Sequence, residues 1–112
     1  MEICKCCGQE KKTNWTKIGN LKWSEDLGEM NWFEAEKLCK EMGGRLPTRI
    51  ELFDLVDNHS EEIEDWDSSY YYWSATTFSS NTQYAWYVNL NYGYTYYSNK
   101  TNSANYRVRC VR

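Results

Sequence analysis

No aspartate or glutamate follows Asp67, so residues 68–112 carry no carboxylate side chain. That absence removes the paired acids of a glycosidase-type cleft from this half, and also the charged oxygens that calcium prefers. Histidine is nearly missing: His59 is the single one, beside Asn58 and Ser60. It reads most simply as a cation at a helix C-terminus, and no Ser-His-Asp set or complete metal site has motif support. No apolar run approaches the roughly 20 residues of a bilayer span, so no membrane insertion is expected. The start, MEICKCCGQEKK, lacks the long apolar stretch of a signal peptide. On that reading the chain stays in the cytoplasm as synthesised, or is carried on a phage particle. A net charge of only −3 gives no global attraction to nucleic acid.

Aromatic residues are what the chain has in excess: six Trp, ten Tyr and three Phe, 17% in all. Disordered chains are poor in such residues, because nothing repays the entropy of ordering them. The composition therefore argues for a folded domain. All ten Tyr fall between Tyr70 and Tyr106. Nine bases against sixteen acids leave residues 1–67 at −7, whereas Lys100, Arg107, Arg109 and Arg112 make residues 68–112 +4. A chain of 112 residues has room for one core. We read two halves of one domain, residues 13–112, preceded by a short cysteine-bearing extension, residues 1–12.

Two short extended pieces around a Gly-Asn turn are expected in WTKIGNLKW, residues 15–23. Residues 31–42 predict a helix: Asn31 is the N-cap, Glu34 completes a capping box, and Trp32, Ala35, Cys39 and Met42 form one stripe. Gly43 and Gly44 stop it. A second helix is predicted over about 48–59, with Thr48 and Glu51 as its capping box and Leu52, Phe53, Leu55 and Val56 as its apolar face. After Asp67 the period changes to that of strands. YYYWSATT, AWYVNL, YTYYSN and NYRVRCVR read as a meander of short antiparallel strands, giving an α+β domain. In the last of these Tyr106, Val108 and Cys110 share a face, and Arg107 and Arg109 take the other.

Five cysteines divide into a cluster (Cys4, Cys6, Cys7) and two singles (Cys39, Cys110). Helical and strand periodicity independently aim Cys39 and Cys110 at the core. Packing of helix on strand would bring them within disulfide reach; two buried free thiols behaving as small apolar residues are the alternative. Cys4 and Cys7 have the spacing of half a zinc knuckle, but no second pair completes four ligands. Zinc at Cys4/Cys7 is thus weighed against exposed thiols or intermolecular contacts, and no other cofactor is expected.

The strings AEKLCKEMGGRLPTRIELFDLV, YYWSATT, AWYVNL and NYRVRCVR, in that order over roughly residues 20–112, resemble the C-terminal domain of the Legionella collagen-like protein. That group comprises bacterial and phage modules of C-type-lectin-like fold. The "major paralogous" surface domains and, more remotely, the formylglycine-generating enzyme are similar in general fold. The resemblance implies two helices packed on a twisted, mostly antiparallel sheet, with Cys39 and Cys110 as the helix-to-last-strand bridge of such lectins. It implies framework roles for Trp73, Ser74, Trp86, Val88, Val108 and Cys110, and makes Arg45–Thr48 the start of the second helix. The sugar-coordinating triplets of calcium-dependent lectins (EPN or QPD, then WND) are absent, so sugar binding through calcium is not expected. The active-site cysteine pair of the formylglycine-generating enzyme has no counterpart near Cys110.

Outside the framework stand Tyr70, Tyr71, Tyr84, Asn91, Tyr92, Tyr94, Tyr96, Tyr97, Asn99, Asn102 and Asn105, the candidate ligand-binding residues. Tyr offers large amphipathic contact area at low entropy cost, and Asn and Ser adapt their hydrogen bonds. Tyr92, Tyr94 and Tyr96 recur at period two, so a strand would put them on one face. Packing of these rings on each other and on Trp as a partly wet core is the alternative. The tail also resembles the variable region of lectin-like proteins diversified by retroelements, where mutagenesis of AAY codons yields Asn, Tyr, Ser and Thr. The leading expectation is a non-enzymatic, calcium-independent binding module for a protein or glycan ligand. The alternatives are a structural subunit of a phage or surface assembly, offering Arg107 and Arg109 to the acids of a neighbour or another copy (a homo-oligomer), and a redox enzyme using the Cys cluster.

Overall fold

The computed structural model describes residues 15–62, 71–89, 95–103 and 106–112. The extension with Cys4, Cys6 and Cys7, together with Tyr70, Asn91, Tyr92, Tyr94 and Asn105, lies outside the described residues. Thr16–Ile18 (β1) and Leu21–Trp23 (β2) form the expected hairpin about Gly19-Asn20. Trp32–Glu41 (α1) begins at Asn31, whose Oδ1 accepts the Glu34 backbone N–H at 2.9 Å while Glu34 Oε1 accepts that of Asn31 at 3.1 Å. Gly43, with φ of 85°, turns the chain in the left-handed region after α1. Gly44 has a different role: a Cβ there would lie 2.5 Å from the Val111 carbonyl oxygen.

Arg49–His59 (α2) is started the same way, Thr48 Oγ1 accepting the Glu51 N–H at 3.1 Å and Glu51 Oε1 accepting that of Thr48 at 2.8 Å. Arg45 donates to both Glu51 oxygens, at 2.8 and 2.9 Å. That pair, followed by the backbone bond from Thr48, holds the Glu51 carboxyl below the usual range against some burial. A single 3-10 turn, Ser60–Glu62, follows.

Four strands make the main sheet: Tyr71–Thr77 (β3), Tyr84–Asn89 (β4), Thr95–Asn99 (β5) and Tyr106–Arg107 (β6), in the order β5-β4-β3-β6. β3, β4 and β5 are antiparallel neighbours, but β6 runs parallel to β3. This corrects the antiparallel meander expected for the end of the chain. Alternation along NYRVRCVR reports faces, not direction, and the chain leaves one edge of the sheet to return on the other.

Adjacent Tyr72 and Trp73 on β3 point to opposite faces, and each face carries its own core. Tyr72 and Val88 pack with Leu52 and Leu55 of α2 and with Ile18, Trp23 and Val111. Trp73, Ala85 and Tyr87 pack with Trp32, Ala35 and Cys39 of α1 and with Leu46, Val108 and Cys110. Both helices thus lie on the sheet, one per face. Cys39 and Cys110 form a disulfide with a Cα–Cα distance of 5.5 Å, which settles the choice between a bridge and two free thiols.

β6 and the segment after it are held by backbone bonds from Ser24 to Cys110, Leu27 to Val108 and Met30 to Tyr106, at 2.9, 2.9 and 3.1 Å. That cover explains a second correction. Arg109, expected on an outer face, is 2% exposed and donates to the Ser24 carbonyl at 3.1 Å. Arg107 is likewise engaged within the chain, its Nε 2.8 Å from Asp26 Oδ2. Asp26 Oδ2 also accepts the Tyr72 hydroxyl. Burial pushes the Tyr72 phenol well above the ordinary tyrosine value, with the nearby Arg109 guanidinium pulling the other way. No described helix is long and apolar enough to cross a membrane.

Candidate functional site

Tyr84, Trp86 and Val88 alternate onto the α2 face of β4. Val88 lies in the core beneath Leu52 and Leu55. Helix α2 begins level with Trp86, where the Arg49 N–H reaches Thr76 Oγ1 at 3.2 Å. Beyond that point no part of α2 covers the sheet, and Trp86 and Tyr84 stay half-exposed. Register then adds Tyr97 opposite Trp86 on the edge strand β5. Phe78, whose N–H bonds the Tyr84 carbonyl at 2.9 Å, contributes a fourth ring from the turn after β3.

These rings form one ordered cluster. Phe78 stacks on Tyr97 with centroids 4.0 Å apart and planes 16° from parallel. Tyr96 stacks on Tyr97 at 4.6 Å and 21°. Two rings that close cannot share one face of Tyr97, so Tyr97 is sandwiched between them. Its edges meet Trp86 at 5.4 Å and 83°, and Tyr84 at 5.7 Å and 77°. Edge-to-face and offset stacking are the favoured geometries of aromatic pairs. Among the described residues Tyr96 ends the stack, and it is 48% exposed.

The electrostatics are cationic and quiet. The Arg49 guanidinium carbon sits 4.0 Å from the Trp86 ring centroid, a cation–π arrangement. Ile50, the next residue of α2, is 75% exposed. Lys100 is 7% exposed; its ammonium donates to Thr77 Oγ1 at 3.1 Å and lies 4.0 Å from the Trp32 ring centroid. The Tyr97 phenol is pushed above its ordinary value, chiefly by the neighbouring Tyr96 phenol, then by some burial and Tyr84. Hydroxyls and amides rim the cluster. Asn102 Nδ2 donates to Ser98 Oγ at 3.3 Å, and Asn99 Oδ1 accepts Thr101 N–H and Oγ1–H at 2.9 and 2.7 Å.

Of the residues singled out in the sequence, Tyr84, Tyr96 and Tyr97 come together in the cluster, with Asn99 and Asn102 beside it. Tyr71 is placed elsewhere. Half-buried on the α1 face, it packs on Tyr87 and Tyr106 at 5.3 and 6.1 Å. Phe78 and Arg49 carried no sequence expectation, and Trp86 was assigned to the framework although it is half-exposed. A ring just before the turn SSNTQ, in phase with the strand that precedes it, was the available signal for Phe78. His59 bonds Glu62 at 2.8 Å and lies 3.5 Å from Asp54, against Gly19. Among the described residues no three His, Cys, Asp or Glu side chains gather to hold a metal ion.

Among curated proteins, none matches the chain at a significant level in sequence. The structure of the Yersinia pseudotuberculosis adhesin InvE superposes on it with a TM-score of 0.68 and 17% identity, over 94% of this chain and 35% of that one. This chain thus spans about a third of that protein's length, 35%. At that identity the likeness concerns the fold, which is the C-type-lectin-like α+β arrangement expected above. Residues 7–112 match the family described as the Lcl C-terminal domain. The chain belongs to the Lcl C-terminal domain family.

Proposed function

We propose that the chain is a non-enzymatic recognition module that holds a protein or glycan ligand, without calcium, against the aromatic face built from Phe78, Tyr84, Trp86, Tyr96 and Tyr97. The observation that carries this reading is the ordered, solvent-facing ring cluster beyond the start of α2. Exposed aromatic patches of this kind mark binding surfaces. The rings are already fixed by one another, so little side-chain entropy remains to be lost on binding. Family membership and the fold shared with an adhesin point in the same direction. The Asn/Tyr/Ser/Thr composition of β5 and its surroundings further fits a surface diversified between gene copies by a retroelement. Sequencing many copies would test that, changes confined to these codons being expected.

The test of the main reading is a binding screen of the whole chain on glycan arrays and intact cells, with and without EDTA. A Trp86→Ala/Tyr97→Ala variant runs in parallel. Binding that persists in EDTA and drops at least about tenfold in the variant is expected, the loss of two central aromatic anchors. Equal binding by both proteins would sink the reading.

A further inference from the structure

We propose that the outer face of the Tyr96 ring is a stacking platform for one uncharged pyranose ring, with the Ser98 hydroxyl and the Asn102 amide as its polar contacts. The inference rests on the recognition reading above and narrows its ligand class.

The stack has an inner and an outer end. Tyr97 is covered on both faces, by Phe78 at 4.0 Å and by Tyr96 at 4.6 Å. Tyr96 is covered by Tyr97 on one side and is 48% exposed. A planar group added to Tyr96 would continue a column of rings already aligned, with no side chain to reorder. The C–H face of a pyranose is such a group, apolar and flat, with hydroxyls around its edge.

The surroundings suit those hydroxyls. Ser98 lies two residues along β5 from Tyr96, and Asn102 Nδ2 reaches Ser98 Oγ at 3.3 Å. Asn102 is exposed. A hydroxyl and an amide offer both donors and acceptors, as a sugar edge requires.

Charge selects against the alternatives. Residues 95–99 carry no charge, and residues 68–112 no acid. Lys100 turns away, 7% exposed, with its ammonium over Trp32. Arg49 lies over Trp86. An anionic sugar or a charged peptide would find no counter-ion on β5, whereas an uncharged sugar needs none.

The experiment is saturation-transfer NMR on the whole chain with cellotetraose, maltotetraose and lactose as uncharged probes and sialyllactose as the charged one. Three variants accompany it: Tyr96→Ala, Tyr96→Phe and Asn102→Ala. At least one uncharged probe is expected to receive saturation at its ring C–H protons. Tyr96→Ala should weaken it roughly three- to tenfold, the range for losing one aromatic pair. Tyr96→Phe should retain it, and Asn102→Ala should weaken it about threefold or more. Undiminished binding by Tyr96→Ala, or a preference for sialyllactose, would overturn the proposal. Absence of all sugar binding while the chain still binds cells or proteins would overturn it too and leave the broader reading standing. Loss of both would sink the two together. Tyr96 is exposed at a sheet edge, so its variants should keep the wild-type near-UV circular dichroism of the Trp core.

Discussion

Asp26 and Arg107 are 81 residues apart in sequence and 2.8 Å apart in space. The carboxylate comes from the acid-bearing half and the guanidinium from the half that has no acid of its own. Asp26 also accepts the Tyr72 hydroxyl, so one side chain ties β6, β3 and the 24–30 segment together. The Asp26 side chain is 8% exposed, and a pair this buried is costly to break from one side. Asp26→Asn should lower stability by about 3 kcal/mol. Urea unfolding checks this, with a shifted midpoint and an unchanged slope expected.

The disulfide closes a loop with a sequence separation of 71. Restricting the unfolded chain by that much corresponds to about 4 kcal/mol in the loop-entropy picture. A Cys39→Ala/Cys110→Ala variant should unfold at markedly lower urea, and reductant should bring the wild-type protein toward the same midpoint. A wild type indifferent to reductant under unfolding conditions would contradict this.

Gly44 tests the clasp between the α1 exit and the last residues. A methyl group there would sit 2.5 Å from the Val111 carbonyl oxygen and 3.0 Å from the Trp15 ring, and that oxygen is backbone already bonded to the Arg45 N–H at 2.9 Å. Gly44→Ala should cost about 2 kcal/mol or more through overpacking. Thermal melts of this variant beside Gly28→Ala, where nothing lies within 4 Å, separate crowding from backbone strain.

Glu51 gives a pH signature. Its carboxyl is held low chiefly by Arg45. A depressed value in the folded state means stabilisation that is present above the ordinary glutamate range and lost as pH falls through the folded value. The stability gap between wild type and Glu51→Gln should therefore be open at neutral pH and close on acidification. A gap constant with pH would assign the role to shape and not to charge.

Tyr97 gives the opposite sign. Its phenol is raised, first by Tyr96. Stabilisation from the protonated phenol is full below the ordinary tyrosine value and disappears as pH rises through the higher folded one. Ultraviolet titration should show a late-ionising tyrosine in the wild type, moved to lower pH in Tyr96→Phe.

Much of this was legible in the residues. Trp32, Ala35 and Cys39 lie at helical spacing and are all buried. Both capping boxes form with the expected partners, because caps depend on neighbours three residues apart. Long-range relations were harder. The direction of β6 and the burial of Arg109 follow from pairing with residues 24–30, which no local pattern encodes. The ring cluster was half legible: Tyr84, Tyr96 and Tyr97 stood out by type. Trp86 was taken for framework on the family resemblance, whereas burial on a strand depends on where the covering helix happens to start.

Val111 is bridged to Trp23 on one side and to Arg45 on the other. The final residues are therefore laid into a slot whose walls were synthesised first. Such an arrangement has high contact order, and folding of this kind is slow. During biogenesis the hairpin β1–β2 waits without its partner until residue 111 has been made. Cys39 waits as long for Cys110, and in that interval its thiol is open to mispairing with the cysteines at positions 4, 6 and 7.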